Sequence, residues 1–211
     1  MKGVNIHGDE IDNYLLAVSP MTGGEAAKIR VAPIRVVCQN TLIAAQGAST
    51  EVYRIIHDKH VKERMGQWLA EVYERSEQKL AVLQEAFTAL AEYKVTERDV
   101  KKVIEASYPF PNVPRRNVSE EMFEARQKEH SVGVERITQR RNAVRELLSG
   151  SGTSLNNKAC QGTAWGLYNA IVEAEDYRRG LKNDAIDRSL LFGDRASVKA
   201  TAYTRTLELA S

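Results

Sequence analysis

The 211-residue chain has little of what the familiar site chemistries require. Its two cysteines, Cys38 and Cys160, lie far apart and neither is near a second cluster of metal-type ligands. That excludes a zinc or disulfide scaffold and reads as two reduced, mostly buried thiols. No apolar run approaches the roughly 18 residues of a membrane span, and Met1-Lys2-Gly3 opens directly into polar sequence. The expectation is a cytoplasmic protein with no membrane partner. There is no glycine-rich phosphate loop, no serine elbow, no zinc signature and no paired-carboxylate motif. Enzyme is therefore the weakest class, and no catalytic residue, metal or cofactor is assigned. A net charge of +2 neither demands nor forbids nucleic acid, because clustering on one face is what counts. What is present, 43% apolar and 27% charged residues, belongs to a soluble globular protein.

The first quarter of the chain reads as a sheet. Val4-Asn5-Ile6-His7 alternates, Gly8-Asp9 is a turn pair, and Tyr14, Leu16 and Val18 share one face of a second strand. Ser19 to Gly24 supplies turn chemistry. A third strand runs from about Lys28 to Val37, with apolar residues at Ile29 and Val31 before Pro33 and at Ile34 and Val36 after it. The phase slips by one at the proline, so a β-bulge is expected there. Asn40 or Thr41 caps a short helix from Leu42 to Gln46, and Val52 to His57 is a fourth strand.

Beyond Asp58 the period changes. Val61, Met65, Trp68, Val72, Leu80, Leu83, Phe87 and Leu90 recur at helical spacing to about Tyr93, with Ser76 filling a gap in the stripe. Thr96 with Asp99 predicts a capping box for a short helix ending near Ser107. Pro109, Pro111 and Pro114 then enforce a loop. Ser119 caps a second long helix whose stripe is Phe123, Gln127, His130, Val134, Ile137, Arg141, Val144 and Leu148. Its polar members suit one arm of an antiparallel helical hairpin, partly open to water or to another subunit. Ser149 to Ser154 is a flexible linker by composition. An amphipathic helix begins at Ala164, and a last one runs from Asp194 to Leu209.

The run IRVAPIRVVCQNTLIAA, with GDEIDNYLLAV before it, resembles the signature of a phage- and plasmid-borne family known only as a domain of unknown function. Ile55-Ile56-His57, the stretch Thr163 to Ala170 continuing to Glu173 and Asp176, and Arg188-Ser189 through Phe192-Gly193 to Lys199 match it as well. The signature residues so marked are Pro33, Cys38, Asn40, Thr41, Trp165 and Asn169. The resemblance implies a fold and a genomic setting, and no established reaction. Relatives carry a histidine-aspartate-glycine turn where this chain has Met21-Thr22-Gly23-Gly24. They are also usually longer at the amino end, so the chain is either a short natural version or half of a split unit. A first strand left as an edge would then be a site for a partner.

Each candidate for chemistry has a plainer reading beside it. His57 and His60 make half a metal site, but more readily a strand end. Cys38 at a helix start is a nucleophile or, preferably, a small buried residue. Trp165 reads as core, Asn169 as a tie from its helix to the sheet, and Glu173 and Asp176 as a solvated face. The arginines matter more: Arg30 and Arg35 on the signature strand, Arg115 and Arg116 on the proline loop, Arg140 and Arg141 near a helix end, Arg178 and Arg179 after the tryptophan helix. Arginine engages phosphates bidentately and stacks on bases, so convergence of these on one face would make a DNA surface.

The fold expected is α+β: a small antiparallel sheet over 1–57, a long helical hairpin over 58–148, and carboxyl-terminal helices over 149–211 that pack back on the sheet. The function expected is a non-enzymatic accessory protein binding single-stranded DNA in replication or recombination. The alternative is an oligomeric interaction module that never touches DNA. Partners are thus single-stranded DNA, further copies of the chain, or a chain supplying the missing amino-terminal portion.

Overall fold

This computed structural model describes residues 3–18, 27–35, 51–55, 61–152, 155–177 and 193–211, with side chains described for 3–14 and from 71 onward. Cys38, Asn40, Thr41, His57, His60, Arg178, Arg179 and the Leu42–Gln46 helix lie outside the described residues.

Strands β1 (Val4–Ile6), β2 (Asp9–Val18), β3 (Ala27–Arg35) and β4 (Glu51–Ile55) form an antiparallel meander in chain order. The first hairpin closes one residue earlier than the sequence suggests. His7 and Gly8 both take positive φ, 49° and 90°, as a two-residue turn of that hand requires, and Asn5 Oδ1 accepts from the Gly8 N–H at 2.8 Å. Asp9 is thereby released from the turn into β2, where it is buried. Asp9, Ile11 and Asn13 line the inner face, while Tyr14 is about half exposed at 51%.

The expected bulge at Pro33 is absent. β2 and β3 pair without interruption from Ile11 with Arg35 to Val18 with Lys28, and the irregularity falls instead on the other side of β3, against β4, between Ile29 and Arg30. Pro33 stands opposite Asn13, beyond the described residues of β4, so among the described residues β3 has only β2 to bond there. An unbulged ladder also puts Arg30 (opposite Leu16) and Arg35 (opposite Ile11) at positions of opposite parity, hence on opposite faces of the sheet.

Helix α1 (Val61–Glu92) spans 32 residues, about 48 Å, and covers the sheet through contacts to β1, β3 and β4. Its described stripe is buried as expected, Ser76 included: that hydroxyl satisfies itself on the Val72 carbonyl four residues back, so a polar residue costs little there. Helix α2 (Glu97–Ser107) starts on the reciprocal Thr96–Asp99 capping box, and Ser119 caps α3 (Glu120–Glu146). Among the described residues no helix is long and apolar enough to cross a membrane.

The Ser149–Ser154 stretch is less free than its composition implies. Leu147–Ser151 continues α3 as a wide turn, with Leu147 buried and the Ser149 and Ser151 hydroxyls both donating to the Glu146 carbonyl. Gly150, at φ 111°, permits the exit. After a short turn at Lys158–Cys160 comes α4 (Ala164–Tyr177), and α5 (Asp194–Ala210) closes the described chain.

The core is built around α4. Every residue from Ala164 to Glu175 is buried, so the helix is enclosed on all sides rather than amphipathic. The two long helices meet through α4 instead of along a seam of their own: α1 packs on α4 and α5, α3 on α4 and on the turn that follows it. Phe87 of α1 accordingly lies against Trp165, ring centroids 4.8 Å apart. The main-chain bonds Val95 N–H to Gly162 O and Ala164 N–H to Tyr93 O tie the end of α1 to the start of α4. Gly166 lies so close to the Lys158–Cys160 turn that a Cβ there would sit 1.8 Å from the Cys160 oxygen.

Candidate functional site

Two features stand out from this frame: a buried charge network on α4, and the helix α3 that it holds in place. Glu175 is buried at 1% exposure, and its Oε1 accepts from Arg140 Nη2 at 2.7 Å, from Arg140 Nε at 3.2 Å and from the Tyr108 hydroxyl at 2.9 Å. Successive helical residues point about 100° apart, so Arg141 reaches elsewhere. It donates from Nε and Nη2 to the Tyr108 carbonyl at 3.0 and 2.7 Å and lies over the Phe110 ring at 4.0 Å. One arginine of the doublet fastens α3 to α4, the other to the loop between α2 and α3.

That loop runs back along α3 as a strap. Tyr108 and Phe110 lie at Arg140 and Arg141, the Pro111 carbonyl 3.3 Å from His130 Nε2, and Arg116 over the Phe123 ring at 5.1 Å. Gly133 makes room for the strap, since a Cβ there would stand 3.2 Å from Pro111 Cγ. Between strap and helix lies an open groove of about 640 Å³, lined by Val113, Pro114, Phe123, Gln127 and His130 among others. Only Phe123, Arg141 and Val144 of the 27 residues of α3 are buried.

The second half of the network joins α4 to α5. Asp176 pairs with Lys199, whose side chain has no exposure, and Arg195 is buried one turn earlier on the same face of α5. Burial lowers the Lys199 pKa, with Asp176 pulling it the other way. Beside them the Tyr168 hydroxyl is held well above the usual phenol range, by burial first and then by Tyr203 and Asp176. Its oxygen, like Asn169 Oδ1, makes no hydrogen bond among the described residues. Glu173 comes close to Gly152, where a Cβ would lie 3.3 Å from Oε2. Arg140 of α3 thus pairs with Glu175 and Lys199 of α5 with Asp176, two largely buried ion pairs that tie α4 to both neighbouring helices.

The residues marked from the sequence fare unequally. Trp165 is core, as expected, and it rather than Asn169 ties α4 to the sheet: its Nε1 donates to Asp9 Oδ2 at 2.7 Å, with Cys160 Sγ at 3.9 Å from the same oxygen. Asn169 bonds its own helix, Nδ2 to the Trp165 carbonyl at 2.9 Å. Glu173, expected on a solvated face, is buried, and the Asp176 side chain, expected there too, is 6% exposed and paired with Lys199 of α5. Of the arginines, Arg115 and Arg116 are exposed on the strap, while Arg140 and Arg141 are turned inward and engaged. Arg30 and Arg35 fall on opposite faces of the sheet, so the described members of the set are not brought together.

Missed altogether were Asp9, Tyr108, Glu175, Arg195 and Lys199 as network members. The signal was present in spacing: Arg195, Lys199, Ala202 and Thr206 recur at four, three and four, the period of a core stripe, so two of the stripe's positions are cations. No curated protein and no solved structure matches the chain. A family model does, over residues 1–200, and by that match the chain belongs to the domain of unknown function family DUF932.

Proposed function

We propose that this member of DUF932 is a non-enzymatic accessory protein that acts by association, with α3 and its strap as the contact arm, in the phage or plasmid setting its sequence resembles. The observation that carries the reading is the imbalance of α3, 27 residues long with three buried and held rigidly at its far end by Arg140 and Arg141. Met122 and Val132 stand half exposed on its outer side, at 50% and 49%. The exposed charge on α3 is mixed, with Glu120, Glu121, Glu124 and Glu129 interleaved with Arg126, Lys128 and Arg136. A mixed surface with apolar points suits protein contact better than a phosphate track.

A second reading keeps single-stranded DNA as partner, favoured by the exposed Arg115 and Arg116 on the strap that also carries the exposed Phe110, cations and a ring of the kind that engage backbone and base. Capture from the native host with and without nuclease separates the two. Protein capture that resists nuclease and is lost in Val132→Glu supports the contact arm. Capture that vanishes with nuclease and with Arg115→Gln/Arg116→Gln supports DNA. Capture indifferent to all of these sinks both.

A further inference from the structure

The outer face of α3 carries Met122, Ala125, Glu129, Val132, Arg136 and Gln139, spaced three and four residues apart and all exposed. This is the seam of a helix that expects another helix against it. The charges on it are one of each sign, Glu129 before Val132 and Arg136 after, and neither has an ion-pair partner among the described residues. Lys128 and Glu135 stand one residue back from each, with the signs reversed.

We infer that α3 pairs antiparallel with α3 of a second copy of this chain, about a two-fold axis passing between Val132 and Gly133. This rests on the reading of α3 as the contact arm and names its occupant. The argument is charge complementarity of the face with itself. Glu129 and Arg136 lie about 5 Å to either side of that axis along the helix. Reversal of direction therefore places Glu129 of one copy at the height of Arg136 of the other, twice over. A parallel pairing in register would set Glu129 against Glu129 and Arg136 against Arg136, which the like charges oppose. At the axis Val132 meets Val132, and Met122 reaches the height of Ala143, so the apolar members of the seam also find one another. The strap occupies the other side of α3, at Gly133 and His130, and leaves this face clear. An isologous contact of one helix pair is small, so the dimer is weak and depends on concentration.

Sedimentation equilibrium of the full chain, carried from low to high micromolar concentration, tests this. The wild type should show a reversible monomer–dimer equilibrium. Glu129→Arg and Arg136→Glu should each weaken it about tenfold or more, and the two together should return it to within about threefold of wild type, because the swap restores opposite charges. Both positions are exposed, and unchanged circular dichroism would establish that the variants fold. Val132→Cys, oxidised, should give a covalent dimer that wild type treated alike does not. A dimer that persists through both single reversals overturns the proposal and moves self-association to another surface. A monomer at every concentration overturns it too, and the contact-arm reading then stands or falls on whether Val132→Glu abolishes nuclease-resistant capture from the host.

Discussion

Helices α3 and α4 are both rich in carboxylates, yet one is nearly all surface and the other all interior. Twelve consecutive residues of α4 are buried, Glu173 and Glu175 among them, against three of 27 in α3. The difference does not lie in the acids themselves. It lies in what neighbouring helices bring: Arg140 reaches Glu175 and Lys199 reaches Asp176, whereas Glu120, Glu121 and Glu124 of α3 face water. A charged residue on a helix is therefore no reliable mark of its outer face. A buried carboxylate that is hydrogen-bonded and opposed by a cation is tolerated, and an unopposed one is not.

The sharpest test of the contrast compares two glycines. Gly166→Ala on α4 drives a Cβ into the Cys160 carbonyl, a backbone atom that cannot step aside, and should destabilise by about 4 kcal/mol or more, or prevent folding. Gly133→Ala on α3 meets only a proline ring at 3.2 Å and gains helix propensity, so its effect should stay within about 1 kcal/mol of zero. Urea denaturation of the pair checks both. Equal losses would mean that α3 is as tightly enclosed as α4.

Next come two glutamates. Glu175→Ala removes the buried acceptor shared by Arg140 and the Tyr108 hydroxyl and should lose about 3–5 kcal/mol. Glu129→Ala should fall within about 0.5 kcal/mol of wild type when measured on the monomer. A mild Glu175→Ala would mean that water reaches the network.

A smaller effect concerns pH. Burial raises the Tyr168 pKa well above its ordinary 10 and raises that of Tyr203 as well. The folded state thus holds these phenolic protons more tightly than the unfolded chain does. The associated stability is complete below about pH 10 and is lost as pH rises from there through the folded values. Tyr168→Phe removes a buried hydroxyl that makes no hydrogen bond among the described residues, so it should change stability at pH 7 by no more than about 1 kcal/mol while flattening the alkaline loss. Denaturation at pH 7 and pH 11 gives both numbers, and an alkaline slope unaltered by the substitution would refute the assignment. Smallest of all, Ser119→Ala should cost about 0.5 kcal/mol at the start of α3, since its capping contact to Met122 N–H is long at 3.4 Å.

Local chemistry carried much of the architecture in plain view. The capping box at Thr96 and Asp99, the cap at Ser119, the proline loop, the α1 stripe through Ser76 and the span of the last helix follow from interactions among residues a few positions apart. So does the α+β class, because a change of apolar period from two to about 3.6 needs no knowledge of neighbours. What depended on distant partners went unread or was read in reverse. The turn at His7-Gly8 shifts by one because Asp9 is wanted by Trp165, 156 positions along the chain. The expected bulge at Pro33 is absent because β2 pairs with β3 without interruption past that point. Glu173 and Asp176 look like a solvated face, yet Glu173 is buried and Lys199 of α5 pairs with Asp176, and Arg140 and Arg141 look like a phosphate clamp until Glu175 and the Tyr108 carbonyl engage them. Among the described residues, sequence alone determined most of which segments are helix and which are strand, since hydrogen bonding and side-chain period are local. Only the tertiary structure decided which charges lie inside, since that depends on whether an opposite charge from elsewhere in the chain offsets the loss of water.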